Sequence, residues 1–354
     1  MPEATGRDRS PTHDATGLGG DRSAQMWPYP AAVPAGDPRS TTTRRVELAA
    51  WLFVAVVGAV TLTQMFGWAG TRLVAVMQSL TPYLGLLLAP IGVVAVIRGR
   101  LALAATCGAI GLGILLLAAP LAVPDNQPPP MAGATGLRVA SVNLLYGNDR
   151  IDEVAADLAE LAPDVIVFNE YTPEHQRALR NSPLADAYQY RVDRSGLLAG
   201  GIAVWSTTPV IVDEPPDTHT YSLDLTVDAP DGPVRVVAMH MPTPINNFEN
   251  WRRDLRTAAE IGRTASGPTM VVGDLNASYW HPDFRALLDA GFVDAHTANG
   301  HGFSTSWPTD GIVPAFVRLD HALTIGGLVS TDVDDFEIPG SDHRGFVVTV
   351  APTR

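Results

Sequence analysis

Three long apolar runs between Leu48 and Val123 constrain this 354-residue chain more than any other feature. They extend from Leu48 to Phe66, from Leu73 to Ile97 with interruptions at Gln78 and Thr81-Pro82, and from Leu101 to Val123. At 1.5 Å per residue, each can cross a hydrocarbon layer of about 30 Å as a helix. Helices of a soluble core would carry a polar face with a residue every third or fourth position, and these runs do not. The expectation is three transmembrane helices within residues 44–123, the second kinked at Pro82, where neighbouring helices can satisfy the freed backbone groups. Arg44 and Arg45 precede the first run and Arg98 and Arg100 separate the second from the third, so all four fall on one side; Arg72 alone lies opposite. The preference of basic residues for cytoplasmic loops then puts the N-terminus in the cytoplasm and everything after Val123 outside it.

The flanks read differently. Residues 1–43, rich in Pro, Gly, Ser, Thr, Asp and Arg, have too little apolar surface to offset ordering entropy, which predicts a disordered cytoplasmic tail. Residues 124–136, with Pro128-Pro129-Pro130, predict a semi-rigid spacer off the membrane. Cys107 is the only cysteine, so no intrachain disulfide can form, and its apolar surroundings point to packing.

From Leu137 onward the pattern is that of one α/β domain, residues 137–354. Residues 137–143 alternate like a strand, and 164–170 form an apolar strand that ends in polar residues. Further strands are expected at 201–206, 220–227, 234–240, 269–273, 318–325 and 346–351, with helices at 149–161, about 250–264 and near 284–288. Many strands with few long helices imply sheet packed on sheet with helices outside.

The chemistry collects at strand ends. Thr269-Met270-Val271-Val272-Gly273 leads into Asp274 and Asn276, which the period of two places on one side of the extended chain. A carboxylate and an amide held together can grip a water, a divalent cation or a phosphate oxygen. Asn143, Glu170, His240, Asp320-His321 and Ser341-Asp342-His343 follow or flank other apolar segments in the same manner. Several buried acids are costly unless paired or bound to a cation. An oxygen-rich set without cysteine favours Mg²⁺, with Mn²⁺ or Ca²⁺ as alternatives, over structural zinc, and histidines beside it suit proton handling. His175, His219, His281, His296 and His301 lack such a context and are expected at the surface or in loops.

The ordered series Asn143, Asn169-Glu170, His240, Gly273-Asp274-Leu275-Asn276, Arg318-Leu319-Asp320-His321 and Ser341-Asp342-His343 resembles the endonuclease/exonuclease/phosphatase superfamily, the DNase I-like proteins, over about residues 137–351. Trp307 resembles an aromatic found before the Asp-His strand, whereas Asn169 stands where a glutamine is common. The resemblance implies a four-layered α/β/β/α sandwich, here preceded by three transmembrane helices. It implies that Glu170, supported by Asn143 and with Asp342 nearby, holds the metal. Asp274 and Asn276 would orient or deprotonate the attacking water. His343 paired with Asp320 would carry a proton or clamp phosphate, and His240 would face the scissile phosphate. Asn246, Arg252 and Trp307 are candidate substrate contacts.

Charge narrows the substrate. Residues 137–354 carry 15 Arg against 30 Asp plus Glu and no lysine, the opposite of a nucleic-acid footprint. That balance weakens a nuclease reading, and a domain at the outer membrane face is placed for lipid-linked phosphates. With the phosphoester chemistry that the resemblance implies, the expected substrate is a phosphodiester or pyrophosphate bond in a lipid-linked envelope compound, with an extracytoplasmic nuclease as the alternative enzyme and a non-catalytic membrane-anchored binding module as a third reading. Three spans followed by such a domain also resemble actinobacterial membrane proteins linked to teicoplanin resistance.

Overall fold

The structure is a computed structural model and describes residues 38–353. Most of the expected tail, residues 1–37, lies outside the described residues. Residues 38–43, also expected to be disordered, instead open the first helix, α1 (Pro38–Met65). Once a helix is nucleated, each added residue gains a hydrogen bond, so it runs past the apolar stretch.

The second apolar run is not one kinked helix. It forms α2 (Arg72–Ser79) and α3 (Thr81–Ile97), which meet at 67°. Pro82 lies in the first turn of α3, where its missing N–H costs nothing, so the chain restarts there instead of bending gently. The helix α4 (Leu101–Ala118) follows. Among the described residues, two helices are long and apolar enough to cross a membrane, or three if the bent pair counts as one span. Cys107 is buried between helices, as packing.

The rest builds two six-stranded sheets. The elements are β1 (Leu137–Asn143), α5 (Ile151–Leu161), β2 (Val165–Asn169), α6 (Pro173–Arg180), α7 (Leu184–Ala187), β3 (Tyr190–Arg194), β4 (Ile202–Ser206), β5 (Val210–Val212), β6 (Ser222–Ala229), β7 (Gly232–His240), α8 (Phe248–Thr264), β8 (Thr269–Asp274), α9 (Pro282–Asp289), β9 (Val293–Asp294), α10 (Ala295–Ala298), β10 (Asp320–Ile325), β11 (Leu328–Glu337) and β12 (Arg344–Pro352). One sheet has the order β11-β12-β1-β2-β4-β3 and the other β5-β6-β7-β8-β10-β9. Each has one parallel pair at its centre, β1 with β2 and β7 with β8, flanked by antiparallel neighbours.

Alternation along the strands sorts residues into layers. Val139, Val165, Val236, Met270 and Val272 pack between the sheets. Ala140, Ile166 and Phe168 face α5 and α6, and Val237, Met239 and Val271 face α8 and α9. This is the expected four-layered α/β/β/α sandwich.

The linker is not a free spacer. Gln127 exchanges hydrogen bonds with Ser330, the Met131 N–H donates to the Pro352 carbonyl at 2.8 Å, and Thr135 and Gly136 N–H groups donate to Asp231. It is strapped along the sandwich. The helices also touch the domain directly. Ala75 of α2 packs with α8 and α9, Arg285 donates to the Gln64 carbonyl at 2.7 Å, and the Tyr83 hydroxyl donates to the Phe316 carbonyl at 2.7 Å. His281 Nε2 lies 3.1 Å from the Ala75 carbonyl oxygen, and Trp280 packs among residues of the apolar helices.

Candidate active site

The C-terminal ends of the two parallel strand pairs meet at one edge of the sandwich. In register, Asn143 stands beside Asn169 in one sheet, and His240 beside Asp274 in the other, with Asp320 opposite Asp274. Strand parity explains why they converge. Residues 139, 167, 238, 272 and 322 belong to the inter-sheet core, and Asn143, Asn169, His240, Asp274 and Asp320 continue those same faces. They form a polar cap over the apolar layer. One residue further on, His321 faces the other way, bonded to Asp294 at 2.7 Å and to the Ala277 carbonyl at 2.9 Å, outside the cluster.

Asparagines stitch the sheets together. Asn169 Oδ1 accepts from the Asp274 N–H at 3.0 Å, and its amide donates to the Met239 carbonyl at 3.3 Å. Asn143 donates to Asp274 Oδ2 at 2.9 Å and, at 3.5 Å, to Glu170 Oε1. Glu170 and Asn276 follow their strands with left-handed backbones, at φ 55° and 46°. Such conformations cost about 1–3 kcal/mol each and persist where surrounding contacts enforce them. The Tyr146 N–H holds Glu170 Oε2 at 2.9 Å, while Asn276 donates its N–H to Asp274 Oδ1 at 2.8 Å and its amide to the Met241 carbonyl.

A second arm comes from the end of the chain. His343 Nδ1 lies 2.8 Å from Asp320 Oδ2, which also accepts from the Ser306 hydroxyl at 2.7 Å. His343 Nε2 is 3.9 Å from both Asp274 Oδ2 and Asp342 Oδ1, and His240 Nε2 is 3.8 Å from Asp274 Oδ2. Burial disfavours the charged imidazole of His343, yet Asp320 and then Asp274 outweigh it and push its pKa up to about 10. Burial, and next the charge of His343, holds His240 down to about 4, so it is neutral near pH 7. Asp320 is opposed by burial but held below the usual carboxylate range by His343. Burial and then Asp320 push Asp274 up to about 8, and burial also raises Glu170.

This donor set fits a hard cation. Glu170, Asp274, Asp320 and Asp342 crowd one edge, and Asp342 Oδ1 is buried with no hydrogen-bond partner. Asp342 Oδ2 accepts from Trp307 Nε1 at 2.9 Å. Asp274, Asp320 and His343 also bring ligand atoms within 4.8 Å of one another. The short Asp320–His343 bond already occupies those groups, which leaves Asp342 Oδ1, buried without a hydrogen-bond partner, as an oxygen open to a cation.

Among the expected substrate contacts, Trp307 orients Asp342. Asn246 is exposed on the segment after Met241. Arg252 lies elsewhere: its guanidinium is 3.2 Å from Asp283 and joins α8 to α9. His219 and His301 are exposed as expected, but His175, His281 and His296 are buried. Each is held by groups distant in sequence, His175 by the Asn148 carbonyl and His296 by Asp335, which local context cannot reveal. Ser306 escaped sequence reading, and only its place beside Trp307 hints at it.

A sequence comparison with curated proteins finds no match. Among solved structures, a humanised TDP2 of D. rerio with 14 mutations is similar at TM-score 0.50 and 16% identity, covering 60% of this chain and 98% of that one. An AP endonuclease from Archaeoglobus fulgidus gives 0.49 and 17%, and a 3′ phosphatase, NExo, from Neisseria bound to product DNA hairpin gives 0.48 and 20%; each covers 60% of this chain and 98% of its own. The sequence profile of the Endonuclease/Exonuclease/phosphatase family matches residues 140–343, from the core of β1 to His343 itself. The chain therefore belongs to the endonuclease/exonuclease/phosphatase family.

Proposed function

We propose that this chain is a membrane-anchored, Mg²⁺-dependent phosphoesterase whose domain lies outside the cytoplasm and cleaves a phosphodiester or pyrophosphate bond in a lipid-linked substrate. The observation that carries the reading is the meeting of Glu170, Asp274 and Asp342 with the Asp320–His343 pair at one strand-end edge. Glu170 and Asp342, with Asn143 in support, would hold the cation, which would offset charge on the phosphoryl oxygens.

The remaining groups supply positioning and proton control. Asp274 and Asn276 lie side by side to orient a water for in-line attack. His343, kept protonated by Asp320, offers a positive donor to a phosphoryl oxygen. Neutral His240, its Nε2 3.8 Å from the same Asp274 oxygen that His343 approaches, takes or returns a proton. The acidic balance of residues 137–354 argues against a duplex DNA substrate, which is normally held by basic side chains.

The test offers the purified full chain, with Mg²⁺, plasmid DNA, bis(4-nitrophenyl) phosphate and a polyprenyl pyrophosphate. Hydrolysis of the lipid and the aryl ester, lost in His343→Ala, is expected. Plasmid nicking lost in the same variant would favour a nuclease, and no hydrolysis of any of the three would leave the binding-module reading. A reporter active only outside the cytoplasm, fused after Arg354, tests the orientation; activity from a cytoplasmic reporter alone would reverse it.

A further inference from the structure

We infer that the catalytic edge of the sandwich faces the bilayer and that its apolar rim is seated in the lipid surface. The chain's own path supports this. β1 starts at Leu137 and reaches the catalytic edge at Asn143; β7 likewise ends there at His240, so Asp231, in the turn before it, marks the far edge. The linker bonds to Asp231 and to Pro352 at the end of β12, hence it travels from the membrane helices to the far edge before β1 begins. Gln127 already bonds Ser330, which pairs with Val350 near that edge, so the first four linker residues make the crossing and the rest run along it. A domain standing on its far edge would not need this return.

The helix ends meet the opposite edge. Tyr279, Trp280 and His281, just beyond Asn276, contact the helices, as does Phe316 through Tyr83. From there an aromatic relay leads to the site: Tyr83 to Phe316 at 6.0 Å between ring centroids, Phe316 to Trp307 at 5.9 Å, and Trp307 to Asp342.

The loops leaving catalytic residues at this edge expose large apolar side chains. Tyr146 sits on the loop whose N–H holds Glu170. Leu197 and Leu198 lie in a turn clamped to Tyr171 by the Gly196 N–H, and Ile245 follows Met241. Ile312 is fully exposed and Val313 largely so, between Trp307 and Phe316. Large apolar side chains presented by several loops of one edge mark an interaction surface. Continuity with helices fit to cross a membrane identifies the partner as lipid, with aromatic and aliphatic groups at the headgroup level. The substrate class, resting here on the phosphoesterase reading, is then an amphiphile whose phosphoester enters from the membrane plane.

The experiment uses the full chain in phosphatidylcholine–phosphatidylglycerol vesicles. The lone cysteine is removed as Cys107→Ala, and an environment-sensitive nitrobenzoxadiazole label is placed at Leu198→Cys, Ile312→Cys or, near the far edge, Asp228→Cys. Brominated phosphatidylcholine should quench the first two labels several-fold more than the third; equal quenching at all three overturns the inference. The double variant Leu198→Asp/Ile312→Asp should hydrolyse vesicle-borne polyprenyl pyrophosphate at least about tenfold more slowly while keeping its rate on soluble bis(4-nitrophenyl) phosphate. Unchanged turnover of the vesicle substrate also overturns it. If the unsubstituted protein cleaves neither compound, the phosphoesterase reading fails, and the quenching pattern still decides where the rim lies.

Discussion

His281 couples the domain's stability to pH in a way that one substitution can isolate. It stands buried at the N-cap position of α9, its ring bonded away from the helix, with Nδ1 accepting from the Ser278 N–H at 2.9 Å and Nε2 beside the Ala75 carbonyl of α2 at 3.1 Å. Both bonds require the neutral ring, with its proton on Nε2. Burial holds its pKa down to about 4 against an ordinary 6.5. The unfolded chain therefore binds a proton in this window that the folded chain refuses. Its contribution is complete above about pH 6.5 and is lost as pH falls toward 4. That interval corresponds to about 3 kcal/mol, or a melting shift of roughly 6–12 °C for a domain of this size. In His281→Asn, the amide oxygen can accept from Ser278 and the residue type suits an N-cap position, but no titration remains. The variant should melt lower at pH 7, having lost the Ala75 bond, and show a flatter acid limb. His240, buried and held to about 4, remains in both proteins and cancels in the difference. Differential scanning fluorimetry of the full chain in one detergent from pH 7.5 to 4 reads it. Parallel curves for the two proteins would refute the argument.

Asp320→Asn should remove the largest support for the His343 imidazolium, lowering kcat on the aryl ester by about 10²–10⁴-fold with the melting temperature checked alongside. Glu170→Gln should raise the Mg²⁺ concentration needed for half-maximal activity by about 10–100-fold, read by metal titration of turnover. Trp307→Phe leaves Asp342 Oδ2 without its donor and should weaken Mg²⁺ binding less than Glu170→Gln does, by calorimetry. Gly273→Ala puts a Cβ 2.1 Å from the Met239 carbonyl oxygen at φ 134°, and should cost about 2 kcal/mol or more in chemical denaturation.

The site was legible because β-strands carry their own geometry: alternation predicts that Asp274 and Asn143 end the faces whose earlier residues are apolar. Pairing Asp320 with His343 came from family resemblance, since 23 residues separate them and no local pattern joins them. Hydropathy saw the apolar length of the second run but not its direction, so the elbow at Leu80 was invisible. The edge strand β11 was missed for a related reason. Thr331-Asp332-Val333-Asp334-Asp335 reads as a polar loop, and it is a strand because β12 pairs with it. Arg252 reads as a candidate substrate contact only because the sequence does not show that Asp283, 31 residues on, claims it.

The strapped linker has a mechanical consequence. Tethers usually set how far a domain can wander from its anchor, and lengthening them loosens it. Here the docking of Trp280, His281 and Phe316 on the helix ends fixes the domain against the helices, and the peptide from Pro124 to Gly136 merely closes the circuit along the sandwich flank. Extra residues inserted in that peptide would bulge sideways as slack, leaving the distance between the site and the helix ends as it was.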